Sequence, residues 1–146
     1  MPEKETLERA NQDKREGKAA STQAGEFVRE EIEHIREGKH GARSTKQAIA
    51  IGLSKARRAG VDLPPSKNAS KETKEQAARD TRKAKSGRKV AKSAKRSRAT
   101  LKALKREGHS AASKKALSRQ AHKAAAKRSA ASRSRSAKKA AATRKK

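Results

Sequence analysis

The side chains that could perform acid–base or metal chemistry are few: four histidines, no cysteine, and the carboxylates Glu30, Glu31 and Glu33 close together. His34 and His40 flank a glycine-containing turn, while His109 and His122 lie far downstream. No two histidines are spaced i, i+4 as a helical metal site requires, and without cysteine there are no thiolate sites or disulfides. The absence of cysteine also suits a reducing compartment. The scattered histidines therefore read as surface residues. The three glutamates read as an acidic, exposed helix face offset by Lys and Arg. No phosphate-binding glycine motif occurs, and nothing provides a water-excluding pocket. The expectation is no catalysis, no cofactor and no metal.

The residues that dominate are basic. Lys and Arg number 42 against 15 Asp and Glu, a formal charge of +27. A compact form with that charge repels itself unless a polyanion neutralises it, so the implied partner is nucleic acid. The candidate nucleic-acid-binding residues are Arg88 and Lys89; Lys95, Arg96 and Arg98; Lys102, Lys105 and Arg106; Lys114 and Lys115; Lys127 and Arg128; and Lys138 and Lys139. Lysine is a flexible point charge, and an arm without a rigid frame cannot aim side chains at base edges. The expected mode is neutralisation of duplex DNA phosphates without sequence readout. The single aromatic residue, Phe27, lies outside this region, which argues against the ring-stacking modes of single-strand modules. Membrane binding needs an apolar face, and the C-terminal half offers only Val90, Leu101, Leu104 and Leu117. No apolar leader follows Met1, and no stretch approaches a membrane span.

Charge also divides the chain. Up to Leu63 there are 13 basic and 11 acidic residues; from Pro64 onward there are 29 and 4. Consecutive prolines at 64 and 65 mark a hinge, since they end a helix and hold the chain extended. The expected organisation is a small helical segment over 1–63, a linker over 64–87 and a Lys/Ala/Ser-rich nucleic-acid-binding arm over 88–146. Phe27, Val28, Ile32 and Ile35 recur at helical spacing between Ser21-Thr22 and Gly38, which predicts a helix over 22–37. Ser44 or Thr45 can cap a second helix, with Ala48, Ile49, Gly52, Leu53 and Ala56 on one face and Gly60 past its end. A third helix is expected around Leu7 and Ala10. The Arg-Glu-Gly triplets ending at Gly17, Gly38 and Gly108 each read as helix stop, turn and helix start.

Ten large apolar residues in the first 63 do not offset the entropy of ordering about 60 residues. The hairpin is expected to gain stability from DNA or from a homodimer formed through residues 22–60. In the arm, Ala and Lys favour helix, but like charges at i, i+4 oppose it. The expected fold class is therefore mostly α: a small N-terminal helical hairpin of two to three helices, plus a long basic arm, largely disordered when free and helical on phosphates.

From Arg88 to Lys146 the chain resembles the Lys/Ala-rich tails of linker histones and of histone-like nucleoid proteins of some bacteria. The stretches Gln23-Ala24-Gly25-Glu26-Phe27-Val28-Arg29-Glu30-Glu31-Ile32 and Gly41-Ala42-Arg43-Ser44-Thr45-Lys46-Gln47-Ala48-Ile49-Ala50-Ile51-Gly52-Leu53 resemble a little-characterised bacterial family of small basic proteins. Its members carry unknown-function, DNA-binding or plasmid-stabilisation labels. The resemblance implies a bacterial cytoplasmic setting and supplies no catalytic residue; with DNA as partner the expected place is the nucleoid, or the nucleus in a eukaryote. The leading expectation is a non-sequence-specific, DNA-compacting protein. An RNA-binding or ribosome-associated protein shares the composition. A sequence-specific regulator would use 22–37 and 44–59 as a helix-turn-helix with Lys46, Gln47 and Lys55 facing the major groove, although the turn over 38–43 is long for that motif.

Overall fold

The structure is a computed structural model that describes residues 2–87 and 91–145, and helix runs through most of them. The order is α1 (Lys4–Arg15), α2 (Ala20–Arg36), α3 (Thr45–Arg58), α4 (Lys71–Lys85), α5 (Ala94–Lys105), a 3₁₀ turn (Ser110–Ala112), α6 (Lys114–Ala126) and α7 (Ala130–Arg144).

α2 and α3 form the central hairpin. α3 starts where Ser44 accepts a hydrogen bond from the Gln47 amide (3.2 Å), while the Gln47 side chain accepts one from the Arg43 amide (2.7 Å). The exchange satisfies two amides at the helix start. At the other end Gly60 turns with φ of +100°, and the Val61 amide reaches back to the Ala56 carbonyl (3.1 Å), folding Val61 onto the core. The two helices touch at Gly52. A Cβ there would lie 2.6 Å from the Val28 Cα, so only glycine permits this approach.

Two small cores flank that contact. In one, α1 covers the hairpin: Ala10, Ala24, Phe27, Ala56 and Val61 are buried, with Leu7, Leu53 and Leu63 against them. In the other, the 3₁₀ turn covers it: Ile32, Ile35, Ala42 and Ala48 meet Ala111 and Ala112, with Val28 and Leu117 alongside. The apolar faces of residues 22–60 are thus largely covered within a single chain.

The structure overturns the expected fold class. It is not a two- or three-helix hairpin trailing a largely disordered arm; the arm carries the helices α5, α6 and α7. Two physical reasons account for this. Ser93, Ser113 and Ser129 each accept a bond from the amide three residues on, at 3.3, 3.1 and 3.1 Å. Each cap is worth about 1 kcal/mol. Against this, alanine and serine dilute the charges. α6 holds like-charge i, i+4 pairs only at Lys115/Arg119 and Arg119/Lys123, and α7 only at Arg135/Lys139; each costs roughly 0.2–0.5 kcal/mol.

The arm is also docked. The Gly41 amide donates to the Leu104 carbonyl (2.9 Å), and Ala42 donates to Gly108 (3.1 Å). The Thr45 hydroxyl donates to Ala111 (2.7 Å), and Arg36 donates to Ala112 (2.9 Å). Residues 64–87 carry α4, capped by Ser70 and tied to α3 through the buried Asp80.

Candidate nucleic-acid interface

Arg88 and Lys89 lie outside the described residues. The other residues singled out from the sequence are all exposed. Lys95, Arg96, Arg98, Lys102 and Lys105 stand on α5, and Arg106 is its C-cap. Lys114 and Lys115 open α6, Lys127 and Arg128 join α6 to α7, and Lys138 and Lys139 lie on α7. Among the described residues none of them pairs with a carboxylate; the ion pairs fall between Glu3 and Asp80. Arg128 instead runs along α7 to the hydroxyls of Ser132 (3.0 Å) and Ser136 (2.5 Å). Helices α5, α6 and α7 bury no residue fully, and these cations stand exposed on them.

One part of this surface is concave. Docking of the 3₁₀ turn against α3 sets the N-termini of α3 and α6 on either side of a cleft of about 380 Å³. Arg43, Lys46, Lys115, Arg119 and Lys123 line it, with the capping residues Ser44 and Ser113, and no carboxylate does. Both helix dipoles add positive potential there. Of these cations only Lys115 belongs to the set singled out for the arm, with Lys46 named for a helix-turn-helix. No local pattern marks Arg43, Arg119 and Lys123, because tertiary docking alone brings together residues so far apart in sequence. A second, shallower face on α5 joins Arg98, Lys102, Lys105 and Arg106 to the exposed Leu101.

The helix-turn-helix residues are disposed differently. Lys55 turns inward against Glu31 and lies 3.6 Å from Glu30, and Gln47 is occupied by the Arg43 amide. Lys46 opens on the cleft.

The glutamates read as an exposed face also need correction. Glu30 and Glu31 are 2% and 1% exposed, while Glu33 stays half-buried beside Arg29. They are buried because α2 and α3 close over them, with Lys55 of α3 supplying a countercharge. His40 is buried and His34 half-buried rather than on the surface. His40 Nε2 lies 3.1 Å from Glu31 Oε2, and His34 Nδ1 lies 4.0 Å from Glu31 Oε1. One donor atom from each of Glu31, His34 and His40 falls within 4.8 Å of the others, so these three could hold a metal ion. Nearby, hydrogen bonds from His34 and Lys39 hold the Glu3 carboxyl below its ordinary value. A search for histidine pairs at i, i+4 misses this group, which combines Glu31 and His34 at i, i+3 with His40 returned by the turn.

Residues 5–68 are similar to a family described as Family of unknown function (DUF6496). No curated protein and no solved structure matches the chain. The matched stretch holds α1 to α3 and ends before α4, so the basic helices lie beyond it. No helix among the described residues is long and apolar enough to cross a membrane.

Proposed function

We propose that the chain binds duplex DNA through its phosphates, without reading base sequence, and acts as a histone-like, nucleoid-associated protein that compacts DNA. The observation that carries this reading is the carboxylate-poor basic surface: from Arg82 to the end there are 25 Lys and Arg and one acid, Glu107. Each of α5, α6 and α7 is roughly 20 Å long, long enough to follow a DNA backbone over several phosphates. The cleft between α3 and α6 adds a seat where side chains and helix dipoles act together. Binding is driven by release of counterions from the DNA. The likeness of the arm's Lys/Ala-rich composition to that of linker-histone tails supports the same assignment.

The sequence-specific alternative is less well supported, because Lys55 and Gln47 are engaged within the fold. RNA is the alternative polyanion, and the test separates the two. Binding of the full chain to matched duplex DNA and duplex RNA is titrated with salt. Engagement of about ten phosphates gives a slope of roughly −9 in log K against log salt on DNA. Replacing Lys115, Arg119 and Lys123 together with glutamine makes the slope shallower by about 3. A clear preference for RNA, a sequence-selective footprint, or abolition of binding by one substitution overturns the proposal.

A further inference from the structure

The polar group buried between α2 and the turn after it is arranged for a cation. The Gly41 carbonyl can only accept, so His40 Nδ1 carries the proton it donates there (2.8 Å). In the neutral ring this places the His40 Nε2 lone pair toward Glu31 Oε2, 3.1 Å away. His34 Nε2 lies 3.0 Å from the Glu3 carboxylate and donates to it, so the His34 Nδ1 lone pair faces Glu31 as well. Two imidazole lone pairs and a carboxylate therefore converge, each imidazole held in its tautomer by an acceptor behind it. A carboxylate or carbonyl behind the ring is the usual support for a metal-bound histidine.

Charge points the same way. Glu30 and Glu31 are both buried, yet Lys55 is the lysine that serves both, and Glu30 Oε1 has no hydrogen-bond partner. Apart from the Glu3 amide, which donates to Glu30 Oε2 (3.1 Å), two buried carboxylates thus share one lysine in a poorly solvated place. A proton on His40 Nε2 would answer Glu31 but would do nothing for the lone pair of His34. A divalent ion answers all three.

We propose that Glu31, His34 and His40 bind one divalent transition-metal ion, with zinc the best match to two imidazoles and one carboxylate. Glu31 contributes Oε2, its other oxygen remaining with Lys55. Small side-chain rotations bring donors now within 4.8 Å of one another to the roughly 3.3 Å separation of a tetrahedral zinc site. The fourth position belongs to water. The ion pins His40 to α2, and His40 immediately precedes Gly41 and Ala42, whose amides hold the arm through Leu104 and Gly108. The metal thus works as a staple on the turn that docks the basic helices.

The test is titration of the full chain, free of nucleic acid, with Zn²⁺ and with Co²⁺ as a spectroscopic probe. The ring resonances of all four histidines are followed by NMR. Those of His34 and His40 should change together and saturate at one equivalent, with His109 and His122 unaffected. Co²⁺ should give the visible absorption of a four-coordinate site. His34→Gln and His40→Gln should weaken binding by more than about 100-fold, and Glu3→Gln by about 10–100-fold, with His122→Gln as the unchanged control. Changes at His109 or His122 alone, a doubly protonated His40 that excess zinc leaves in place, or no saturable binding would each overturn the assignment. The NMR arm uses the unmodified chain, so it decides the matter even if a variant fails to fold.

Discussion

Asp80 ties the helix after the proline pair to the hairpin. Its carboxylate is fully buried and accepts bonds from Ser54 (2.7 Å), Arg58 (2.8 Å) and Gln76 (3.2 Å). Burial pushes the carboxyl up, but the bonds from Ser54, Arg58 and Gln76 outweigh it and hold it below its ordinary value. A group whose folded value lies below its unfolded one stabilises the fold above the unfolded value, near 3.9. That contribution is lost as pH falls through the folded value. Arg58 is half exposed and can be rehydrated, so Asp80→Asn should cost only about 1–3 kcal/mol at neutral pH. Urea denaturation of both proteins across a pH series tests this. The gap between them should close in acid, because a protonated Asp80 resembles the asparagine; a gap constant with pH would show that the carboxylate's charge contributes nothing.

At the scale of elements, two glycines mark where backbones meet, and their replacement should have separable effects. A Cβ on Gly52 would meet the Val28 backbone within α2, forcing the central helices apart. A Cβ on Gly41 would lie 2.1 Å from the Glu107 carbonyl oxygen, forcing the arm away while leaving the hairpin intact. Gly52→Ala should lower the stability of the whole fold by about 1–3 kcal/mol. Gly41→Ala should instead speed hydrogen exchange at the amides of residues 41 and 42, with exchange in α2 and α3 unchanged. Equal acceleration throughout would mean that arm and hairpin unfold as one unit.

The sequence made the hairpin legible because periodic apolar residues, Ser44 and the glycines past each helix are local signals. The helices of the arm are hidden from a count of like charges, which registers neither the serine caps nor the spacing that alanine provides. The burial of Glu30 and Glu31 could not be read at all, since charged residues in a helix normally face water. Their partner, Lys55, comes from a different helix. For the same reason the cleft joining Arg43 to Arg119 and the Glu31–His34–His40 group appear only once the 3₁₀ turn and the turn after α2 are in place.

Over the whole molecule, the two kinds of electrostatics are segregated. Ion pairs among the described residues fall between Glu3 and Asp80, whereas α5 to α7 carry unpaired cations. With a net charge of +27, repulsion among the arm cations opposes both their helices and their docking on the hairpin. Salt screens that repulsion, the Debye length falling from about 30 Å at 0.01 M to about 8 Å at 0.15 M. It also weakens exposed ion pairs such as Arg29–Glu33, but each of these is worth less than about 1 kcal/mol. The balance favours the screened state. Raising salt over that range should therefore increase the thermal midpoint and the helix content of the free protein while sharply reducing its affinity for DNA. Stability and affinity move in opposite directions because the same cations repel one another in the free chain and attract phosphate in the complex. Circular dichroism melts at several salt concentrations, run beside binding isotherms, test the pair of signs. Duplex DNA at low salt should raise the midpoint further than sodium chloride does, since it binds the folded arm as well as screening it. A midpoint that falls as salt rises would place the dominant electrostatic term in the ion pairs of the N-terminal half.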